Sequence, residues 1–146
     1  KAGLPGVKGV WSHISGGGRL FNVISIEQAY GGHAKQALML AAGSHAGNYL
    51  GRWVVVVDED IDPSNLFDVN WAMNTRCDPV EDIDILRNAW SGALDPMKKP
   101  GENINSRALV DACRPFDWKD DFPHVAESSP ELLEKTLDKW GHLLDD

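Results

Sequence analysis

The sequence predicts an α/β domain: a mixed β-sheet with packed helices that includes a βαβ unit, follows a β-hairpin and ends in an amphipathic C-terminal helix. Three observations lead there. Trp53-Val54-Val55-Val56-Val57 is a short β-branched run with no polar face, the pattern of a strand buried on both sides. It ends abruptly in Asp58, Glu59, Asp60 and Asp62, after which Asp62 as N-cap and Pro63 at the first helical position open a helix. Near the C-terminus Ser129-Pro130-Glu131 repeats that device, and Leu133, Leu137, Trp140 and Leu144 follow at spacings of four, three and four.

Residues 1–9 carry glycine and proline and read as a linker into a short strand at Val10-Trp11-Ser12-His13-Ile14. Gly16-Gly17-Gly18 then reads as the turn of a hairpin whose second strand is Leu20 to Ile26; the other reading of a glycine run, a phosphate loop, lacks the rest of its motif. Gly31-Gly32 stop that strand. A helix from His33 to Ala46 sets Leu38, Ala41, Ala42 and His45 on one side, and Lys35 and Met39 share another face one turn apart. Lys35 adds charge to the positive end of this helix, a combination that can serve an anion.

In the helix from Pro63, Leu66, Val69 and Met73 form one apolar stripe and Phe67 with Trp71 a second, so cover is expected on more than one side. Glu81 to Leu86 alternates acid with apolar and reads as a further strand, closing a βαβ unit with Trp53–Val57 and the helix between. Asp95 to Asn105 is loop, Ala108 to Ala112 a short last strand, and residues 114–146 an extended arm followed by the terminal helix.

Composition bounds the function. At 146 residues, 42% hydrophobic, the chain has the size of a single domain, residues 1–146, with a real interior. A net charge of −8 argues against nucleic acid, which needs clustered Lys and Arg. No apolar run reaches the roughly 20 residues of a membrane span and no signal-peptide pattern is present, so a soluble, cytoplasmic protein is expected. Cys77 and Cys113 read as reduced structural thiols. Asp58, Glu59, Asp60 and Asp62 are oxygen ligands that Mg²⁺ or Ca²⁺ would accept, but capping and the helix dipole explain acids there as well, and the capping reading is favoured. The histidines His13, His33, His45, His124 and His142 show no metal-ligand pairing, and no catalytic elbow, Walker loop or dinucleotide fingerprint occurs. The residues alone give a globular α/β domain with a possible anion contact at Lys35. The chain opens on Lys1, and a portion of a longer protein is expected.

Several separated blocks then carry a resemblance. G-G-H-A-K-Q-A (Gly31 to Ala37), V-V-V-V-D-E-D-I-D-P-S-N-L-F-D-V (Val54 to Val69), W-A-M-N-T-R-C-D-P (Trp71 to Pro79) and L-D-P (Leu94 to Pro96) together resemble the C-terminal domain of the UbiD family of decarboxylases, within it the ferulic acid decarboxylase-like branch. The resemblance runs from about Pro5 to the end. It implies a parent enzyme that removes CO₂ non-oxidatively and reversibly from aromatic or α,β-unsaturated carboxylic acids, with prenylated flavin mononucleotide as the electron sink. It also implies that the catalytic residues, and the ligands of Mn²⁺ and K⁺ at the flavin phosphate, belong to an upstream flavin-binding domain. No catalytic or metal residue is therefore expected on this chain, which alone would bind no cofactor and be inactive. By the resemblance Lys35 is the lysine that approaches the cofactor phosphate, and Met39 borders the substrate pocket. The family further implies a homodimer built by this domain, with hexamers in some members. A purely structural assembly module is the other reading of the isolated chain.

Overall fold

A computed structural model describes residues 3–47 and 49–143. One five-stranded sheet organises them, with spatial order β1-β2-β3-β5-β4. The strands are β1 (Val7–Ser12), β2 (Phe21–Ile26), β3 (Trp53–Asp58), β4 (Ile83–Trp90) and β5 (Ile104–Ala112); the helices are α1 (His33–Gly43), α2 (Leu66–Thr75) and α3 (Pro130–Trp140). β1 and β2 form the expected antiparallel hairpin, and β3 runs parallel to both β2 and β5.

The valine run feeds two cores at once. Side chains alternate across a strand, so Val54 and Val56 join Ile24, Ile26, Leu109 and the α1 residues Ala34, Ala37, Leu38 and Ala42 on one face. Val55 and Val57 join Val23, Val110, Ala112 and the α2 residues Val69 and Ala72 on the other. All four valines are at most 1% exposed, as a strand covered by a helix on each side requires.

Several sequence expectations shift. β1 opens at Val7, so the last three residues of the expected 1–9 linker already belong to the strand, Val7 and Gly9 pairing with β2 across an irregularity at Lys8. α1 ends at Gly43 rather than Ala46, and His45 lies exposed beyond it. The chain turns back so tightly there that a Cβ at Gly47 would sit 2.1 Å from the Ala41 carbonyl oxygen. α2 begins at Leu66, not Pro63, because Asn65 takes the cap by accepting the Phe67 amide at 3.0 Å. Asp62 instead closes a local turn through the Ser64 amide at 2.8 Å, the other habit of such a residue. The second apolar stripe of α2 is covered in part: Trp71 packs against the core, whereas Phe67 is 79% exposed.

The βαβ unit is present but formed by different elements. β2-α1-β3 is the parallel pair with its crossover helix. β4 runs antiparallel to β5 at the sheet edge, and β5, longer than expected, occupies the place beside β3. The acid alternation of β4 suits an edge strand, where charge discourages further pairing.

Two buried acids fasten the connections. Asp58, 3% exposed at the end of β3, accepts from Gln28 Nε2 at 2.7 Å, Arg76 Nη1 at 3.1 Å, and the Arg114 backbone amide and Nε at 2.7 and 3.1 Å. The arm after β5, here called the strap (residues 114–126), is thereby tied to the sheet and to the end of α2. Asp95, of the L-D-P block, accepts from Ser91 Oγ, the Met97 amide and Asn105 Nδ2, each at 3.0 Å, and pairs with Arg52. α3 is capped as expected, Ser129 accepting from the Leu132 amide at 3.2 Å. It buries none of its residues: Leu133, Leu137 and Trp140 stay about half exposed. Leu144 of the same seam lies outside the described residues.

Leu109→Ala, which opens the layer between α1 and the sheet, is expected to cost about 2–5 kcal/mol, read as a lower urea midpoint at unchanged slope. Asp58→Asn removes the charge facing the buried Arg76 guanidinium and is expected to cost about 3–5 kcal/mol by the same measurement. The acids also set a pH dependence. Burial pushes Asp95 up, but the hydrogen bonds from Asn105, Met97 and Ser91 and the Arg52 charge outweigh it and hold the group below the usual carboxylate range. Hydrogen bonds from Arg76 hold Asp60 low, against the partial burial that raises it. Lowered folded values mean stability fully present above about pH 4, the unfolded carboxylate value, and lost as pH falls toward the folded values. Asp111, pushed up mainly by burial, works in the opposite sense, so the comparison is between chains differing at Asp95 alone. Urea midpoints of Asp95→Asn should be lower at neutral pH and fall less steeply below pH 4 than those of the unsubstituted chain.

Candidate functional site

The residues singled out from the sequence meet on the solvent side of α1. Gly31 and Gly32 bring the chain out of the loop after β2, and Gly32, at φ 83°, takes the N-cap position in the left-handed region, which glycine occupies without strain. Its lack of a side chain leaves the first-turn amides without a side-chain cap, and no acid stands in that turn. The helix start therefore keeps its positive character.

His33, the first residue of α1, turns inward. It is fully buried and stacks under Tyr30 with ring centroids 4.4 Å apart. Its Nδ1 accepts the Ala29 amide at 3.2 Å, while Nε2 has no hydrogen-bond partner among the described residues. Lys35, two residues on, turns outward. Its side chain is 41% exposed and its ammonium pairs with the Asp84 carboxylate. Asp84 is there because the alternation of β4 puts it opposite Leu109, on the face that α1 covers. Met39, one turn beyond Lys35, is 53% exposed. Lys35 and Met39 thus share an open face, as their spacing predicts; the acid facing Lys35 comes from 49 residues away.

The acid cluster after β3 serves arginines. Both oxygens of Asp60 accept from Arg76, at 2.9 and 2.8 Å, Asp58 takes Gln28, Arg76 and Arg114, and Asp62 takes Ser64. Among the described residues no group of three or more His, Cys, Asp or Glu is arranged to hold a metal ion, and no helix is long and apolar enough to cross a membrane. Cys77 and Cys113 are free thiols, and burial pushes both upward, the more deeply buried Cys113 far more. Protonated thiols of this kind are poor nucleophiles and poor metal ligands, so the cysteines are structural.

Sequence reasoning missed Gln28, Arg76 and Arg114 as partners of Asp58. The available signal was a buried acid needing compensation, with Arg76 closing the helix that follows. Nothing local pointed to Gln28 or Arg114.

With this geometry in hand, the comparisons with known proteins agree on one family. Residues 1–112 match the family model described as the 3-octaprenyl-4-hydroxybenzoate carboxy-lyase C-terminal domain, UbiD_C. A phenolic acid decarboxylase of Streptomyces sp. (strain D7) is 34% identical over 137 residues, which is 92% of this chain and 28% of that protein. A gallate decarboxylase of Lactiplantibacillus plantarum is 32% identical over 131 residues, 82% of this chain and 26% of that protein. The solved UbiD-class enzyme HmfF from Pelotomaculum thermopropionicum, in complex with FMN, superposes with a TM-score of 0.77 at 30% identity, covering 94% of this chain and 29% of that one. The vanillic acid decarboxylase of Sedimentibacter hydroxybenzoicus in its closed form gives 0.72 at 30% identity, over 98% of this chain and 30% of that one. The chain spans less than a third of the length of these relatives. The family model and the superposed folds agree, and the chain belongs to the UbiD family as its C-terminal domain.

Proposed function

We propose that this chain is the C-terminal part of a cytoplasmic UbiD-type carboxy-lyase that decarboxylates aromatic or α,β-unsaturated carboxylic acids with prenylated FMN. The observation that carries the reading is the family match together with Lys35, the G-H-A-K-Q lysine, standing on the open face of an uncapped helix start. Those features fit a phosphate: a cation, a helix start without a side-chain cap and no acid in the turn. Asp84 is the one obstacle. Both partners of that ion pair are about half exposed, and surface pairs of this kind contribute little, so a phosphate oxygen can take over the ammonium at small cost.

Prenylated FMN, when bound, supplies the electron sink for loss of CO₂. The tasks left to this chain are to hold the phosphate through Lys35 and to border the substrate pocket with the apolar Met39. In this reading proton transfer, and the ligation of Mn²⁺ and K⁺ at the phosphate, fall to an upstream domain.

The third task in this reading is homodimer assembly. α3 carries an uncovered Leu133-Leu137-Trp140 seam. The α1 face of the hairpin leaves an apolar groove of about 950 Å³ lined by Leu4, Val7, Val10, Leu40 and Ala41. A two-fold contact that seats the α3 of each copy on the other is self-complementary and covers both surfaces. The alternative, an assembly module with no share in cofactor binding, is favoured by the Lys35–Asp84 pair, which gives the lysine a structural partner.

Three outcomes test the proposal. The isolated 146-residue chain, supplied with prenylated FMN, is expected to decarboxylate no aryl acid; turnover would contradict the division of labour. In the full-length parent, Lys35→Ala is expected to loosen the flavin by about 1.5–3 kcal/mol, seen as lower flavin absorbance per protein after dialysis, whereas unchanged occupancy favours the assembly-only reading. Light scattering of the chain should give a dimer and Leu137→Asp a monomer; a stable 16.0 kDa species without the substitution would refute the dimer.

A further inference from the structure

We infer that the strap closes a binding pocket for a small aromatic carboxylate. The pocket, of about 640 Å³, lies between the end of α2 and the strap, with Trp71, Phe122 and Pro123 as apolar wall and Arg76, Arg114 and Lys119 as cations. That volume is within the usual range for small-molecule sites. No residue of α1 lines it, so the inference does not rest on the cofactor role of Lys35.

The three cations differ in what they have left to give. Arg76 has both terminal nitrogens engaged, on the two oxygens of Asp60 and, through one of them, on Asp58, and its remaining donor, Nε, is buried. Asp60, one of two acids in the wall, is paired by the same bonds. Arg114 uses its backbone amide and Nε on Asp58. Its Nη2 stands 3.9 Å from Asp60, too far for a hydrogen bond, so the outer edge of the guanidinium, 31% exposed, still has donors to offer. The Lys119 ammonium has one weak contact, 3.5 Å to the Gln28 carbonyl, and rides over the Phe116 ring at 5.4 Å. Two incompletely used cations therefore border one cavity.

The walls select the rest of the ligand. Trp71 packs against the Arg76 guanidinium at 5.2 Å, and Phe122 leans on Trp118 at 5.1 Å. Each ring is braced by a neighbour, and a flat apolar body between Trp71 and Phe122 gains offset or edge contacts with both. The anionic group is a monoanion, because a dianion gives up far more hydration than a carboxylate on entering a site walled by Trp71, Phe122 and Pro123.

The test is a ¹H–¹⁵N titration of the 146-residue chain with benzoate, benzamide and inorganic phosphate. Benzoate should shift the Trp71 indole and the Arg114 and Lys119 amides along one saturable curve, with little response to benzamide or phosphate. Lys119→Gln, which removes a charge but none of the Asp58 ties, should weaken benzoate binding about three- to tenfold, and Phe122→Ala should weaken it as well. Absence of a saturable benzoate shift at these positions overturns the inference, as does an equal response to benzamide or phosphate, or unchanged affinity in both variants.

Discussion

A single carboxylate holds the ends of this fold together. The parallel strands β2, β3 and β5 all deliver their chains to the same end of the sheet, and each must turn away there. Asp58, the last residue of the central strand, receives a side chain from the segment after β2, another from the end of α2, and backbone and side chain from the segment after β5. A charge taken this far out of water is tolerated only when fully hydrogen-bonded, and four donors meet that demand. The direction of the strap follows from it. Because the Arg114 amide is fixed on Asp58, the chain leaves β5 toward the end of α2 and walls off a cavity there.

Much of the fold was legible because its period is short. Four valines with no polar face could only be a strand covered twice, and Ser129-Pro130 marks the start of α3 to the residue. The errors arise where local chemistry offers two answers. Asp62 and Asn65 are both sound caps within four residues, and the chain uses one for a turn and the other for the helix. β4 was recognised as a strand, but its partner was not. A strand's own residues state which faces are wet, not which neighbour it takes, and the β5 partner lies beyond a long loop. In hindsight the acids of β4 were the available sign of an edge.

The candidate site divides the same way. That Lys35 and Met39 share a face is helix arithmetic and needed only the sequence. That Asp84 meets Lys35 depends on the sheet order, and so was invisible before the topology was known. The acids at 58 to 62 resembled a hard-metal site because arginines 76 and 114 are distant in sequence, and long-range charge pairing leaves no periodic trace. The α3 seam was readable, and the fold adds that this chain does not cover it.

Asp58 makes the start of the strap part of the sheet rather than a loose tail, and native-state hydrogen exchange reads that directly. The Arg114 amide, which lies outside every strand and donates to Asp58 at 2.7 Å, should exchange as slowly as the β3 and β5 core amides of Val56 and Val110, opening only with the global transition. Exchange at Arg114 orders of magnitude faster than at Val110, under conditions where the sheet stays protected, would show that the strap opens on its own and that Asp58 does not fasten it.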